Sequence, residues 1–473
     1  MGSGDAITEF FEVANEYLWY VGLVLLVIAG IYFGIRLKGM QITRMRKNAR
    51  LALTDISEKE KGTRKLTSLE AFLLGLGSRV GVGNIAGVAT AIVTGGPGSV
   101  FWMWLFALMG AGTAFIESTA SQIYKEKKAD GGFYGGPAYY IMKGLRNKKL
   151  AIGMALLSVV TFGFGWVGVQ ACNATAAITS AFDVDSIFIG ALFALGVAAI
   201  VFSGTKKLAR IMSKIVPVMV LAWVAFAVAI VVINYENFFN IFAMIFRYAF
   251  DAPALLGGGI GAAIMVGMQR GIFSNEAGLG SIANIAGTAD TTHPAKQGFV
   301  QSFGVIVDTF VVCSFTAFTV LSFGDWESIM EIGLRGSPLV QEIASQALGG
   351  WAAATISLFL FFFAFTSLMG EYAMSEGNIR FVKDDHKVIL VLRILTILTV
   401  FGASLIDMSM MDLISDTFNA AMAITNVFVL VLLSRTVLEV YHDYSDQKRR
   451  DIEEPVFHKS AISDSEGVTE WDD

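Results

Sequence analysis

Apolar stretches long enough to cross a lipid bilayer, separated by short polar loops, run through most of the chain. A helix needs about 20 mainly apolar residues to cross the hydrocarbon core. Eleven segments fit: 16–37, 68–94, 98–123, 151–181, 185–203, 209–234, 255–287, 298–323, 348–377, 387–406 and 410–435. The first is the leading span; the rest are spans one to ten. The pattern predicts an all-α polytopic membrane protein. Spans one and six each carry a short glycine motif, Gly81-Val82-Gly83-Asn84-Ile85-Ala86 and Gly278-Leu279-Gly280-Ser281-Ile282-Ala283. Each glycine weakens a helix by roughly 1 kcal/mol relative to alanine, so both spans are expected to be broken. The motifs stand five spans apart. An odd number of spans per repeat inverts the second half, which predicts a five-plus-five inverted repeat, 68–234 and 255–435, after one extra helix at 16–37. Paired broken helices at matching positions in two halves point to a transporter binding site.

Composition agrees with this pattern. Of the 473 residues, 55% are hydrophobic and 16% charged, with mean hydropathy +0.62; a soluble domain carries about 25% charged residues. The 49 glycines and seven prolines suit helices packed through small side chains. The net charge of −5 is dominated by Asp451–Asp473, which holds eight acids against Lys459. Residues 436–473 are therefore expected to form a disordered acidic tail. Basic loops orient the chain by the positive-inside rule. Arg36, Lys38, Arg44, Arg46, Lys47 and Arg50 lie in the linker 38–67 or at its edge, with Lys125–Lys149, Lys206–Lys214, Arg380–Lys387 and Arg435 on the same side. Asp183, Asp185, Glu236, Asp325, Glu327 and Glu331 lie opposite. The loop around His293 carries only Lys296. This asymmetry predicts a short extracellular N-terminus, 1–15, and a cytoplasmic C-terminus in the cell membrane.

Several chemistries are disfavoured. Cys172 and Cys313 fall in separate apolar spans and read as small buried residues. All four histidines lie in loops or the tail, so an intramembrane histidine metal site is not expected. No phosphate-binding glycine loop, covalent cofactor, nucleic-acid partner or cleavable signal pattern is expected. An enzymatic reading rests on Ser322-Phe323-Gly324-Asp325 alone, a poor match to an intramembrane protease motif. A channel would build its pore from oligomeric rings, whereas internal duplication supplies symmetry in one chain and is compatible with a monomer.

A broken helix leaves carbonyls unpaired on one side and N–H groups on the other. In lipid these must line a cavity or meet a ligand; the carbonyl end attracts a cation and the N–H end a carboxylate. A zwitterion fits both. Gln170 in span three either binds such a substrate or bridges two helices. Thr366 and Ser367 in span eight either supply hydroxyl ligands to sodium or bond back to their own helix. Phe273 either closes over a small substrate or packs. Arg79 and Arg270 sit at the breaks, with Glu276 beside the second, while Glu117, Asp308 and Glu371 lie inside spans. Buried charges favour pairing; Arg79 with Glu276 or Glu117 is the expected pair, as a structural link or a gate.

The segment Gly77-Ser78-Arg79-Val80-Gly81-Val82-Gly83-Asn84 is similar to the first-helix break of LeuT-type transporters. From about Thr67 to Leu433 the chain resembles the alanine/glycine:cation symporter family, the sodium:alanine symporters. The most specific match is Gly95-Gly96-Pro97-Gly98-Ser99-Val100-Phe101-Trp102-Met103-Trp104, running on to Gly110, with Ser99 a slight departure; Arg270-Gly271-Ile272-Phe273-Ser274-Asn275-Glu276-Ala277-Gly278 also matches. The resemblance implies a LeuT-type fold and sodium-coupled import of alanine or glycine. It implies substrate-carboxylate contacts at the N–H groups of Val82 and Gly83, and a sodium held by the carbonyls of Gly77, Val80 and Phe363 with the hydroxyls of Thr366 and Ser367. Ser78, Gln170, Phe273, Asn275 and Gly280 complete the expected substrate site. Asn84 falls where a second sodium would be ligated, and the charge of neighbouring Arg79 weighs against that ion. The rival within this fold is a proton-coupled carrier using the buried acids.

Overall fold

The computed structural model describes residues 3–54, 67–128, 131–202, 205–251 and 259–472. It is nearly all helix. The leading helix α1 (Ser3–Arg36) is followed by α2 (Ser68–Arg79), α3 (Ala86–Gly95), α4 (Ser99–Ile123), α5 (Lys148–Phe182), α6 (Ser186–Val201) and α7 (Thr205–Ile233). After the short α8 (Phe238–Phe250) come α9 (Gly259–Asn275), α10 (Ser281–Ala286), α11 (Pro294–Leu321), α12 (Gly336–Leu348), α13 (Trp351–Val382), α14 (His386–Ala403) and α15 (Met408–Arg449).

Both expected breaks are present. Span one divides into α2 and α3, and span six into α9 and α10. Eight helices among the described residues are long and apolar enough to cross a bilayer unaided. The other expected spans are the two broken ones and α6, which is 16 residues long.

Local chemistry fixes the ends. Thr67 and Glu70 form a reciprocal cap at the start of α2: Thr67 Oγ1 accepts from the Glu70 N–H at 3.1 Å and Glu70 Oε2 from the Thr67 N–H at 3.0 Å. His293 caps α11 with Pro294 in the first turn, and Asp407 caps α15. Two long helices widen into π-helical stretches, Thr161–Trp166 in α5 and Val307–Cys313 in α11. Such stretches re-aim the side chains that follow and recur at functional sites.

The broken helices sit at the centre. α4 lies along α11 and α9, α13 along α5 and α2, and α1 along α15 and α4. Phe10, Tyr17, Val24 and Ile31 on α1 are all exposed, an apolar face suited to lipid.

The structure corrects two sequence expectations. The leading helix begins by Ser3, not residue 16, because Phe11 carries the apolar face further and packs on Phe418, ring centroids 6.3 Å apart. The segment 436–473 is not a disordered tail. α15 continues to Arg449, and the chain then folds back. Phe457, Ile462 and Val468 are buried. The Phe457 N–H donates to the Thr292 carbonyl at 3.0 Å and Trp471 Nε1 to the Gln122 carbonyl at 2.9 Å. Arg146 pairs with Asp464 at 2.8 Å and Glu466 at 2.9 Å. Acidic composition had masked these apolar anchors. Their docking places the loop around His293, the Lys125–Lys149 loop and the C-terminus at one end of the molecule.

Candidate transport site at the two helix breaks

The first break is short and tight. Val80 ends α2, Gly81 is extended (φ −124°, ψ −160°), and one 3₁₀ turn, Val82–Asn84, leads into α3. Asn84 Oδ1 accepts from the Gly81 N–H at 3.0 Å and so takes one donor freed by the break. Gln170 takes another: its Oε1 accepts from the Val82 N–H at 3.1 Å. Gln170 thus stands at the place expected for a substrate carboxylate.

The second break differs in backbone despite its similar motif. Glu276, Gly278 and Gly280 have φ of 62°, 84° and 84°. This left-handed conformation suits glycine and strains Glu276. Glu117 of α4 reaches into the break, accepting from the N–H groups of Gly278 at 3.3 Å and Gly280 at 3.0 Å and from Asn426 Nδ2 at 3.0 Å. Asn426 also donates to the Gly278 carbonyl at 2.9 Å. A carboxylate at freed N–H groups follows from their positive potential. Gly280, an expected substrate contact, therefore gives its N–H to Glu117. Asn275 is likewise committed, donating to Thr309 Oγ1 at 3.0 Å and accepting from the Ala277 N–H at 3.1 Å.

The breaks meet through buried polar side chains. Asn84 Nδ2 donates to Ser274 Oγ at 2.9 Å and Asp308 Oδ1 at 2.7 Å, and Ser274 Oγ donates to Asp308 Oδ2 at 2.6 Å. Asp308 and Thr309 belong to the π-helical stretch of α11. Above Gly83 lies Phe273: a Cβ on Gly83 would come within 2.8 Å of its ring. Phe273 packs edge-on against Trp166, centroids 5.5 Å apart, at the end of the α5 π-stretch. Trp166 Nε1 donates to Asn419 Oδ1 at 2.6 Å.

On the other side of α2, Ser367 of α13 donates to the carbonyls of Ser78 at 3.0 Å and Gly77 at 3.5 Å. Thr366 turns back on its own helix, donating to the carbonyls of Phe362 at 3.1 Å and Phe363 at 3.0 Å. Gly77 and Val80 at the end of α2 thus face the helix carrying Phe363, Thr366 and Ser367.

Arg79 departs from its expected pairing. It is buried, yet its guanidinium makes no hydrogen bond or ion pair among the described residues; it lies against Gly304 of α11. Glu117 is occupied by the N–H donors of the second break, and Glu276 Oε1 accepts from Ser78 Oγ at 3.2 Å. Arg270 does pair, with Asp416 directly and with Asp412 at 3.7 Å. Asp416, Asn419 and Asn426 were missed. All lie within span ten, where any intramembrane acid or amide is a functional candidate, and that signal was present in the sequence.

Comparison with known proteins bears on these features. The profile of the sodium:alanine symporter family matches residues 4–459. The chain belongs to the sodium:alanine symporter family. Among its relatives, the amino-acid carrier protein AlsT of Bacillus subtilis (strain 168) is 38% identical over 465 residues, covering 98% of each chain. The probable sodium/glutamine symporter GlnT of the same organism is 37% identical over 461 residues, covering 97% of this chain and 95% of its own. The crystal structure of MhsT in complex with L-phenylalanine superposes with a TM-score of 0.57 at 12% identity, covering 86% of this chain and 93% of that one. That likeness shows the fold, which is LeuT-type, with spans one and six broken. This sodium:alanine symporter family member is a multi-pass membrane transporter of amino acids and not an enzyme.

Proposed function

We propose that this protein imports a small neutral amino acid, alanine or glycine, together with sodium across the cell membrane by alternating access. The observation that carries the reading is the packing of the Phe273 ring over Gly83, beside the N–H groups proposed to hold the substrate carboxylate. A site walled by Phe273 and Trp166 at that distance suits a small side chain. The carboxylate would sit at the Val82 and Gly83 N–H groups, with Ser78 and Gln170 beside it. Asn275 and Gly280 would shape the site through the second break and not by direct contact.

Sodium would bind between α2 and α13, at the carbonyls of Gly77, Val80 and Phe363 and the hydroxyls of Thr366 and Ser367. The short reach from Ser367 to α2 supports this set. Binding there would tie the broken span to span eight. A tenfold sodium gradient contributes about 1.4 kcal/mol and a 100 mV potential about 2.3 kcal/mol per charge. One sodium per substrate would then support roughly several hundred-fold accumulation.

The repeats are proposed as 68–234 and 255–435, with eleven spans, an outside N-terminus and a cytoplasmic C-terminus. The docking of the C-terminal segment on the Lys125–Lys149 loop at one end supports that orientation. The Asn84, Ser274 and Asp308 cluster favours a second reading, in which Asp308 carries a coupled proton.

Labelled alanine uptake into proteoliposomes tests the function. An inward sodium gradient is expected to drive uptake where an equal potassium gradient does not. Uptake that ignores sodium and follows a pH gradient would favour the second reading.

A further inference from the structure

Gln170 is held at both ends of its amide. Its Oε1 accepts from the Val82 N–H at 3.1 Å, and its Nε2 donates to Glu371 Oε1 at 2.8 Å. Glu371 is fully buried on α13, and its second oxygen has no hydrogen-bond partner among the described residues. The backbone N–H is only a donor, and Glu371 Oε1 stands as acceptor to the amide's NH2 group. Between them the amide has one orientation: NH2 toward Glu371, oxygen toward the break. The fit is close, since a Cβ on Gly81 would lie 2.8 Å from Gln170 Nε2 and 2.9 Å from Oε1.

We propose that Glu371 is a positioning residue that locks the Gln170 amide with its oxygen turned into the substrate site. That oxygen accepts from the Val82 N–H. When a substrate carboxylate takes the N–H, the oxygen is released and accepts from the substrate's ammonium group. Glu371 keeps the NH2 group turned away, so Gln170 cannot reverse its role. The site then selects for an amino group beside the carboxylate, and Glu371 sets that selection without touching substrate. Ser367 precedes Glu371 by one helical turn on the same face of α13, so the groups proposed for sodium and for amide orientation share one rigid element. This inference rests on the proposed carboxylate position at Val82.

The test is alanine uptake by the full-length protein in proteoliposomes, with KM read at saturating sodium and half-saturating sodium read in a separate sodium titration. It compares wild type, Glu371→Gln, Gln170→Ala and the double variant, with propionate, which lacks the amino group, as competitor. A glutamine at 371 can donate as well as accept, so the orientation of Gln170 is no longer enforced. Glu371→Gln is expected to raise the KM for alanine about tenfold, the scale of one buried hydrogen bond. It should narrow the discrimination between alanine and propionate and leave half-saturating sodium within about twofold. Added to Gln170→Ala, it should cost nothing more, because its effect passes through that amide. An unchanged KM, or a loss in the double variant equal to the sum of the single losses, would overturn the proposal while leaving the transport reading intact. Absence of alanine uptake by folded wild-type protein would overturn the transport reading, and the proposal with it. If Glu371→Gln does not fold, Glu371→Asp, which keeps the carboxyl group and shortens the reach, is read by the same KM and additivity criteria.

Discussion

At the scale of single residues, Gly83 and Phe273 set the size of the site. A methyl group on Gly83 would meet the Phe273 ring at 2.8 Å, inside any normal contact. Gly83→Ala is therefore expected to raise the KM for alanine by roughly 5- to 150-fold, since overpacking a tight contact costs about 1–3 kcal/mol. Phe273→Ala should act oppositely on specificity, letting larger neutral amino acids compete with labelled alanine. Competition unchanged in Phe273→Ala would remove Phe273 from the substrate site. Arg79, Glu117, Gln170 and Glu276 were all visible in the sequence as charged or polar residues inside apolar spans. The partners of Glu117, Gln170 and Glu276 were not, nor was the lack of one for the Arg79 guanidinium among the described residues. Glu117 binds N–H groups of a break that exists only once α9 and α10 separate, and no spacing along the chain encodes that meeting.

At the scale of elements, the last span is tied to the sixth span and to the leading helix. Arg270 on α9 pairs with Asp416 on α15, and Trp19 on the leading helix donates to the Asp416 carbonyl at 3.1 Å. Removing one partner of a buried ion pair leaves an uncompensated charge, at a cost of about 3–5 kcal/mol. Asp416→Asn should lower the thermal unfolding midpoint in detergent and reduce uptake, whereas replacing Arg270 and Asp416 together by residues of similar volume should recover much of the midpoint. An unaltered midpoint in Asp416→Asn would show that the pair is not closed in solution. The breaks in spans one and six were legible because glycine weakens helices wherever it stands. The π-helical stretches were not, since Thr161–Trp166 and Val307–Cys313 read as ordinary apolar helix. Their wider turn answers to what they must reach, Phe273 and Asn419 for one, Asn84 and Ser274 for the other.

At the scale of the whole molecule, the C-terminal segment fastens one end of the bundle. His293, fully buried at the start of α11, lies 3.1 Å from Asp443 Oδ2 and packs edge-on against Phe457, centroids 5.5 Å apart. Burial holds the His293 imidazole below its ordinary pKa, with Lys296 pushing the same way and Asp443 opposing. A histidine whose folded-state pKa is lowered binds fewer protons than in the unfolded chain. Its contribution to stability is present above the ordinary histidine value of 6.5 and is lost as pH falls from there through the lower folded-state pKa. Hydrogen exchange at residues 290–296 and 455–459 is expected to rise as pH drops below that point, after correction for intrinsic rates, and the rise should be absent in His293→Gln. Truncation after Arg450 should expose the same loop and the Lys125–Lys149 loop at neutral pH. The acidic count hid this docking, because charge averages over a segment while Phe457, Val468 and Trp471 act singly.

The claim on which the account turns is that sodium joins span eight to the first break through Ser367. The most direct measurement is the sodium concentration that half-saturates alanine uptake in proteoliposomes, for wild type and Ser367→Ala at matched thermal stability. Losing one oxygen ligand is expected to raise that concentration about tenfold or more while uptake remains sodium-driven at high sodium. The same half-saturating sodium in both proteins, or uptake indifferent to sodium in the wild type, would contradict it.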